Sequence, residues 1–230
     1  MFADELPHDE AARLREAYAP LRTFEQRMTS PGFRRMLDER DDALAEALFH
    51  RLDKPLSECR ILDVGCGSGR VMNWLAQHGA SPRNMVGIDL QADRIALARR
   101  SFPDLTFIEG TGEVLPFSSG SFDVVLAFTV FSSVLCPTLQ MKIANEMTLM
   151  LAQGGAVIWY DLRYAPFRPN LVAMPKKRIR KLFPDFKLEL ETLTLLPPLA
   201  ERLGTMTDTL YPMLTSIPML RSHYFGLLRG

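Results

Sequence analysis

The chain predicts an α/β protein with a parallel sheet covered by helices on both faces. Three observations carry this. Short apolar runs alternate with helical stretches between residues 61 and 161, the order that builds βαβ units. The runs are apolar at successive positions, as strands buried on both faces must be. The first run breaks into glycines 65, 67 and 69 just before a helix, where the backbone bends sharply and can touch a ligand. At 230 residues the chain can bury one large core.

Residues 1–54 form the first unit. Glu10 to Tyr18 and Phe33 to Leu52 carry helical apolar spacing, so this stretch reads as a helical cap ahead of a domain spanning residues 55–230. The first strand, Ile61-Leu62-Asp63-Val64, holds one acid. Gly65-Cys66-Gly67-Ser68-Gly69 then turns the chain into a helix from Val71 to Gly79. The dinucleotide fingerprint is G-x-G-x-x-G; here Arg70 stands where its third glycine would fall. Asp63 would repel a pyrophosphate and attract an ammonium group.

The second strand, Met85 to Leu90, contains Asp89 at its end. An acid there can accept two hydrogen bonds from a ribose diol, and can also cap the helix read over Gln91 to Arg100. The third strand, Leu105 to Ile108, leads into the loop Glu109 to Phe117. The fourth is Phe122 to Phe128, followed by Thr129 to Val134. A helix from Thr138 to Leu151 is expected to stop at Gly154-Gly155 in a left-handed cap. Ala156 to Asp161 makes the fifth strand, Phe186 to Leu195 the sixth and His223 to Leu228 the seventh. Residues 196–222 are far longer than a hairpin loop. They read as part of a substrate lid or wall, with a packing subdomain or dimer surface as the alternative.

Composition narrows the function. Lys plus Arg equal Asp plus Glu at 27 each, so no global field draws nucleic acid. Cys59, Cys66 and Cys136 form no C-x-x-C pair, so neither a disulfide framework nor a metal site is expected. No apolar run reaches the ~18 residues of a membrane span, and the acidic start Met1 to Glu5 does not read as a signal peptide. A cytoplasmic, reducing location is expected, without stable membrane insertion. The basic run Lys176 to Lys181 is flanked by Ile179, Leu182 and Phe183 and reads as the solvated face of a helix started by Pro175.

Residues 61–70 resemble motif I of class I S-adenosylmethionine-dependent methyltransferases, (V/I/L)-L-D-x-G-x-G-x-G. Residues 109–117 resemble the G-D-A-E-x-L-P-F loop of the ubiquinone/menaquinone-biosynthesis-like group (methyltransferase type 11), with Thr111 and Gly112 in place of its D-A pair. Phe122-Asp123-Val124-Val125 matches that group's F-D-x-V strand. Ala152 to Gly155 resembles its R-x-L-K-P-G-G turn without the basic residue or the proline. The resemblance covers about Cys59 to Asp161. It implies a seven-stranded, Rossmann-like methyltransferase sheet, mostly parallel, with an antiparallel last strand.

It also implies S-adenosylmethionine as cofactor, with S-adenosylhomocysteine as product. The cofactor would lie against Asp63, Gly65, Cys66, Gly67, Ser68 and Gly69, then Asp89 and Leu90 at the ribose. Thr111, Gly112 and Glu113 would meet the adenine, and Phe128 the methionine end. Tyr18, Phe131 and Tyr160 are the expected substrate contacts, and Arg22 and Arg27 are further candidates on the cap. Methyl transfer is an in-line displacement, and a hydroxyl acceptor must also lose a proton. Asp161 and His223, at strand ends on one sheet edge, are the expected catalytic groups; His8, His50 and His78 have no supporting context.

The segments Thr192 to Pro198, Ile217-Pro218 and His223-Tyr224 look like bacterial methyltransferases of polysaccharide or natural-product biosynthesis. The expected reaction is O-methylation of a small acceptor, a sugar or natural-product hydroxyl. A C-methyltransferase of a quinone-like acceptor and a non-catalytic S-adenosylmethionine-binding module stay open. A nicotinamide oxidoreductase is disfavoured by Asp63 and Arg70. A homodimer also stays open.

Overall fold

A computed structural model describes Glu10, residues 12–14, Glu16, and residues 24–165 and 170–230. Its helices are α1 (Phe24–Met28), α2 (Pro31–His50), α3 (Arg70–Gln77), α4 (Ala92–Ser101), α5 (Pro137–Met150), α6 (Lys176–Leu182), α7 (Pro197–Ala200) and α8 (Thr207–Thr215). Its strands are β1 (Ile61–Val64), β2 (Met85–Asp89), β3 (Thr106–Glu109), β4 (Phe122–Phe128), β5 (Leu151–Leu162), β6 (Lys187–Leu195) and β7 (Arg221–Arg229). They form one sheet in the order β3-β2-β1-β4-β5-β7-β6. β1 pairs in parallel with both β2 and β4, and β4 with β5. β7 runs antiparallel between β5 and β6, as the resemblance implies.

This order places the site. From β1 the chain winds outward to β2 and β3, then returns to β4 on the other side of β1. The reversal opens a crevice beyond the carboxyl ends of β1 and β4, where ligands bind in open α/β sheets.

Alternation along the strands decides what each face holds. One face carries Ile61, Val124, Leu126, Phe128, Ile158, Tyr160 and Phe225 against Leu44 and Leu48 of α2 and Met72 and Leu75 of α3. By the same parity Asp63 and His223 belong to this face. The opposite face carries Leu62, Val64, Val125, Trp159 and Leu228 against Ile143 and Met147 of α5 and Ile179 and Leu182 of α6. Fully burying each such side chain contributes roughly 1.5–3 kcal/mol. α6 buries Ile179 and Leu182 while Lys177, Arg180 and Lys181 stay exposed, as its charge pattern predicts.

α2 begins where its sequence says it should. Ser30 accepts a hydrogen bond from the Phe33 amide, and Pro31 takes the first helical position. Residues 196–222 fold back onto this helix. Phe33 and Met36 of α2 join Leu195, Ala200 and Tyr211 in a small satellite core. Tyr211 donates a 2.6 Å bond to Glu39 of α2 and accepts one from the Leu195 amide. The segment holds α7 and α8, and Pro212 lies inside α8.

One element differs from expectation. Gly154-Gly155 do not end α5, which stops at Met150 and passes directly into β5. Leu151 pairs with Phe122, the next pair is Ala156 with Val124, and the register shifts between them. The glycines lie in this irregularity, Gly154 at φ +77°, so they form a β-bulge instead of a helix cap.

α2 and α7 touch at Gly32. A β-carbon there would stand 1.8 Å from the Ala200 carbonyl oxygen. Alanine normally stabilises a helix by about 1 kcal/mol over glycine; here it forces the two helices apart. Gly32→Ala is therefore expected to lower the melting temperature by several degrees, as overpacking of about 1–3 kcal/mol would. Thermal denaturation followed by circular dichroism checks this, and an unchanged or raised midpoint would show that the contact can relax.

Candidate functional site

A cavity opens at the carboxyl ends of β1, β2 and β4. Val64, Gly65, Asp89, Leu90, Thr111, Gly112, Glu113 and Phe128 line it. Three separate sequence segments therefore converge as the motif spacing requires.

Gly65 forms the cavity's inner turn. It has φ +75°, and a β-carbon would stand 2.7 Å from Val130 Cγ2, so only glycine keeps this wall thin. Gly69 caps α3 at φ +79°; a β-carbon there would meet Phe107 of β3 at 2.4 Å. It packs the helix against the sheet and does not line the cavity. Nor do Cys66, Gly67 and Ser68. The Cys66 thiol lies in the core beside Gly87 and Met72, and burial pushes its pKa well up. Gly67 contributes its backbone: its amide donates to Asp89 Oδ2 at 2.8 Å, while the Gln91 amide donates to Oδ1 at 2.9 Å. Asp89 thus locks the glycine turn to the start of α4 and still borders the cavity.

Asp63 is the site's unusual group. It is 2 % exposed, and its Oδ2 has no hydrogen-bond partner. Burial raises its pKa first, the Asp89 charge second, to about 7, while the Arg40 guanidinium of α2 pulls the other way. A buried carboxylate without a donor is costly. A ligand ammonium would supply the missing donor. The donor set therefore fits S-adenosylmethionine: an orphaned acceptor for the amino group, Asp89 for the ribose, and the bare wall at Thr111–Gly112 for the adenine. Glu113 borders the same wall, with Lys142 at 3.9 Å.

Four expected substrate or catalytic residues lie elsewhere, and their assignments are corrected. Phe131 is fully buried, packed on Trp159 and Phe183. Tyr160 is buried, with its hydroxyl 3.0 Å from Thr194 Oγ1 and its ring stacked 4.4 Å from His223. His223 Nδ1 is engaged by Thr194 and Ser222 at 2.7 and 2.8 Å. Burial depresses its pKa to about 3, so it stays neutral. Asp161 is fully buried and accepts from the Ser132 and Leu162 amides at 3.0 and 2.8 Å. It anchors the loop after β4, and burial lifts its pKa to about 6. Parity and strand ends marked these residues as near the edge, but not how many layers cover it. Tyr18 and Arg22 lie outside the described residues. Arg27 pairs with Glu201 at 2.9 Å and stacks on Phe33.

Other lining residues had no motif to mark them: Leu14, Gln91, Arg94, Leu139 and Ile143; Thr129 and Val130, in the segment read after the fourth strand, also line it. Leu14 belongs to the helical residues near the N-terminus. There Glu10 accepts from the Leu135 amide at 2.6 Å and pairs with Arg13 at 2.8 Å. The only advance signal was the helical spacing of residues 10–18. Thr129, just past β4, holds φ +56°, strained for a β-branched residue, with its amide bonded to the Tyr160 carbonyl at 2.6 Å.

A Rossmann-like sheet with a glycine turn and an acid at the end of β2 is the architecture of class I S-adenosylmethionine-dependent methyltransferases. Residues 61–155 match the family model described as Methyltransferase domain. The chain is 34 % identical over 140 residues to phthiotriol/phenolphthiotriol dimycocerosates methyltransferase 1 of Mycobacterium ulcerans, covering 57 % of this chain and 50 % of that protein. It is 36 % identical over 106 residues to the fatty-acid O-methyltransferase of Mycolicibacterium smegmatis, covering 45 % of this chain and 37 % of that protein. The chain spans about half the length, or less, of these curated relatives. The crystal structure of an S-adenosylmethionine-dependent methyltransferase from Mesorhizobium loti superposes with a TM-score of 0.59 at 20 % identity, over 82 % of this chain and 98 % of that one; this likeness shows the fold alone. Among the described residues no helix is long and apolar enough to cross a membrane, and no cluster of acids, histidines and cysteines could hold a metal ion.

Asp63 gives the ligand-free protein a pH signature. Its folded pKa of about 7 exceeds the ordinary carboxylate value near 4. The stabilisation from its proton is full below the unfolded pKa and is lost as pH rises through about 7. Asp63→Asn is expected to raise the melting temperature by several degrees at pH 8, with the offset shrinking as pH falls and the two proteins converging below about pH 4. Parallel melts across pH 4–8 measure this; a constant offset would place the titration elsewhere.

Proposed function

We propose that this protein transfers a methyl group from S-adenosylmethionine to oxygen on a small, lipid-like or natural-product acceptor. One observation carries the reading: Gly65, Asp89 and the Thr111–Gly112 wall line one cavity, and the orphaned carboxylate of Asp63 lies buried two residues before Gly65, an arrangement that suits an adenosyl amino acid. The bound cofactor would supply an activated methyl group on a sulfonium. The chain's own part is to bind, align and exclude water. Asp63 holds the ammonium, Asp89 the ribose, and Val64, Leu90 and Ile143 give an apolar bed around the adenine wall. Thr129 and Phe128 stand where β4 meets the crevice, the position from which an acceptor approaches.

The choice of acceptor follows from what lines the cavity. With His223 and Asp161 withdrawn into the core, no histidine among the described residues lines it, and the described acids that do are Asp89 and Glu113. An acceptor that ionises on its own, a carboxylic acid or phenol, needs no protein base. The similar proteins named for a fatty acid and for phthiotriol dimycocerosates support an apolar acceptor of this kind. A sugar hydroxyl would need the Glu113 carboxylate to take its proton. Carbon methylation of a quinone-like ring is the second reading.

Isothermal calorimetry tests the cofactor reading. S-adenosylhomocysteine is expected to bind at micromolar affinity and NAD not at all; the reverse would end it. Asp89→Ala should weaken S-adenosylhomocysteine about 10- to 100-fold, the loss of a hydrogen bond to a charged group, with the melting curve retained. Unchanged affinity would misplace the ribose. Radiolabelled methyl transfer to a panel of fatty acids, phenols and sugars then separates an enzyme from a binding module.

A further inference from the structure

The sheet edge at which the cavity opens also carries an apolar tip that the site does not use. Among the described residues nine large apolar side chains are exposed, and four of them, Met206, Met213, Ile217 and Met219, fall within residues 206–219. Scattered exposed residues of this kind are ordinary, but such a concentration marks a docking surface. Met213, Ile217 and Met219 are 62 %, 46 % and 80 % exposed, and Pro212 and Pro218 beside them are exposed too. The tip is firmly held. Tyr211 anchors α8 on α2 through Glu39. Arg163 donates to the Pro218 carbonyl at 2.8 Å, Arg221 to the Thr215 carbonyl at 2.6 Å, and Tyr164 to the Met219 carbonyl. Arg163 follows β5, Arg221 opens β7, and Leu162 pairs with His223. The tip therefore stands at the carboxyl end of β5, one to two strands from β4, or roughly 5–10 Å along the sheet edge.

The base of the tip is positively charged. The Arg163 guanidinium and Lys176 Nζ stand 5.6 and 5.5 Å from the centroid of Tyr224, and Arg221 bonds Thr192, the β6 partner of Tyr224. Among the described residues the hydrogen bonds of Arg163, Lys176 and Arg221 go to carbonyls and the Thr192 hydroxyl, so no carboxylate neutralises them. The acids of this region lie elsewhere: Asp208 is in the first turn of α8, at the end away from the tip, and Glu201 is paired with Arg27. Glu191 shares a strand face with Glu189, which is paired with Arg51 at the end of α2.

We propose that this tip docks the protein reversibly on an anionic lipid surface. Met213, Ile217 and Met219 would enter the acyl boundary while Arg163, Arg221 and Lys176 meet the lipid phosphates. Tyr164 and Tyr224 would lie at headgroup level, where amphipathic rings are favoured. A second copy of the chain suits the tip less well, because three side chains cover far less than the ~800 Å² per partner of a stable protein interface. The purpose of docking rests on the lipid-like acceptor proposed above: such an acceptor would leave the bilayer at the same sheet edge at which the cavity opens.

Vesicle co-sedimentation of the full chain tests this, with vesicles of phosphatidylcholine alone and of phosphatidylcholine mixed with phosphatidylglycerol. The wild type is expected to bind the mixed vesicles and not the neutral ones. Binding should weaken several-fold as salt rises from about 0.1 to about 1 M, where the screening length falls from ~10 to ~3 Å. Met213→Ser combined with Met219→Ser should weaken it about 10- to 100-fold, through the apolar area withheld from lipid, with the melting curve unchanged. A wild type that stays in the supernatant overturns the proposal, as does a double variant that binds as well as the wild type. Sedimentation velocity without vesicles reads the other occupant: a dimer that the double variant abolishes would assign the tip to a second copy and overturn the proposal. Vesicle binding by a protein that methylates no fatty acid supports the docking and removes the lipid-like acceptor, so the two failures are read apart.

Discussion

The site depends on one uncompensated charge. Asp63 sits inside β1, where both neighbouring strands and α2 exclude water, and one of its oxygens has no donor. A fold chosen for stability alone would place an apolar residue there, since burying an unpaired carboxylate costs more than any neighbouring contact returns. Its surroundings only partly relieve it. Asp89 makes matters worse and Arg40 makes them better, leaving a carboxyl that titrates at about 7. Structure and the proposed function therefore compete at this residue: the free protein bears a strain that the ammonium of the proposed cofactor would relieve.

The neighbouring elements follow from that constraint. The glycine turn follows directly on Asp63, and Gly65 takes a left-handed backbone where a β-carbon would stand 2.7 Å from Val130 Cγ2. Asp89 then fixes the turn through the Gly67 amide, so an acid that borders the cavity is also the clasp of the turn. The helical cap has a matching logic. α2 is held at one end by Ser30 and Pro31 and along its length by the satellite core of Tyr211, Ala200 and Leu195. Residues 196–222 act on the site through α2, the helix that carries Arg40, and do not line the cavity.

Much of this was legible in the sequence because local patterns encode it. Consecutive apolar strands, the G-x-G-x-G spacing and the acids at 63 and 89 gave the sheet, its switch point and the strand ends at which the cavity opens. What failed was depth. Asp161, Tyr160, Phe131 and His223 stand near the expected sheet edge, yet aromatic stacking, hydroxyls of Thr194 and Ser222 and loop amides enclose them. Strand parity gives the face a residue points to, not the thickness of what lies above it. Gly154-Gly155 misled because a glycine pair after a helix fits a helix stop and a β-bulge equally well.

The central claim is that Asp63 is held bare for a ligand's ammonium group. A crystal structure with S-adenosylhomocysteine tests it most directly. The account predicts the ligand's amino nitrogen within hydrogen-bond distance of Asp63 Oδ2. An amino-acid end directed elsewhere, with Asp63 still unpartnered beneath it, would contradict the account.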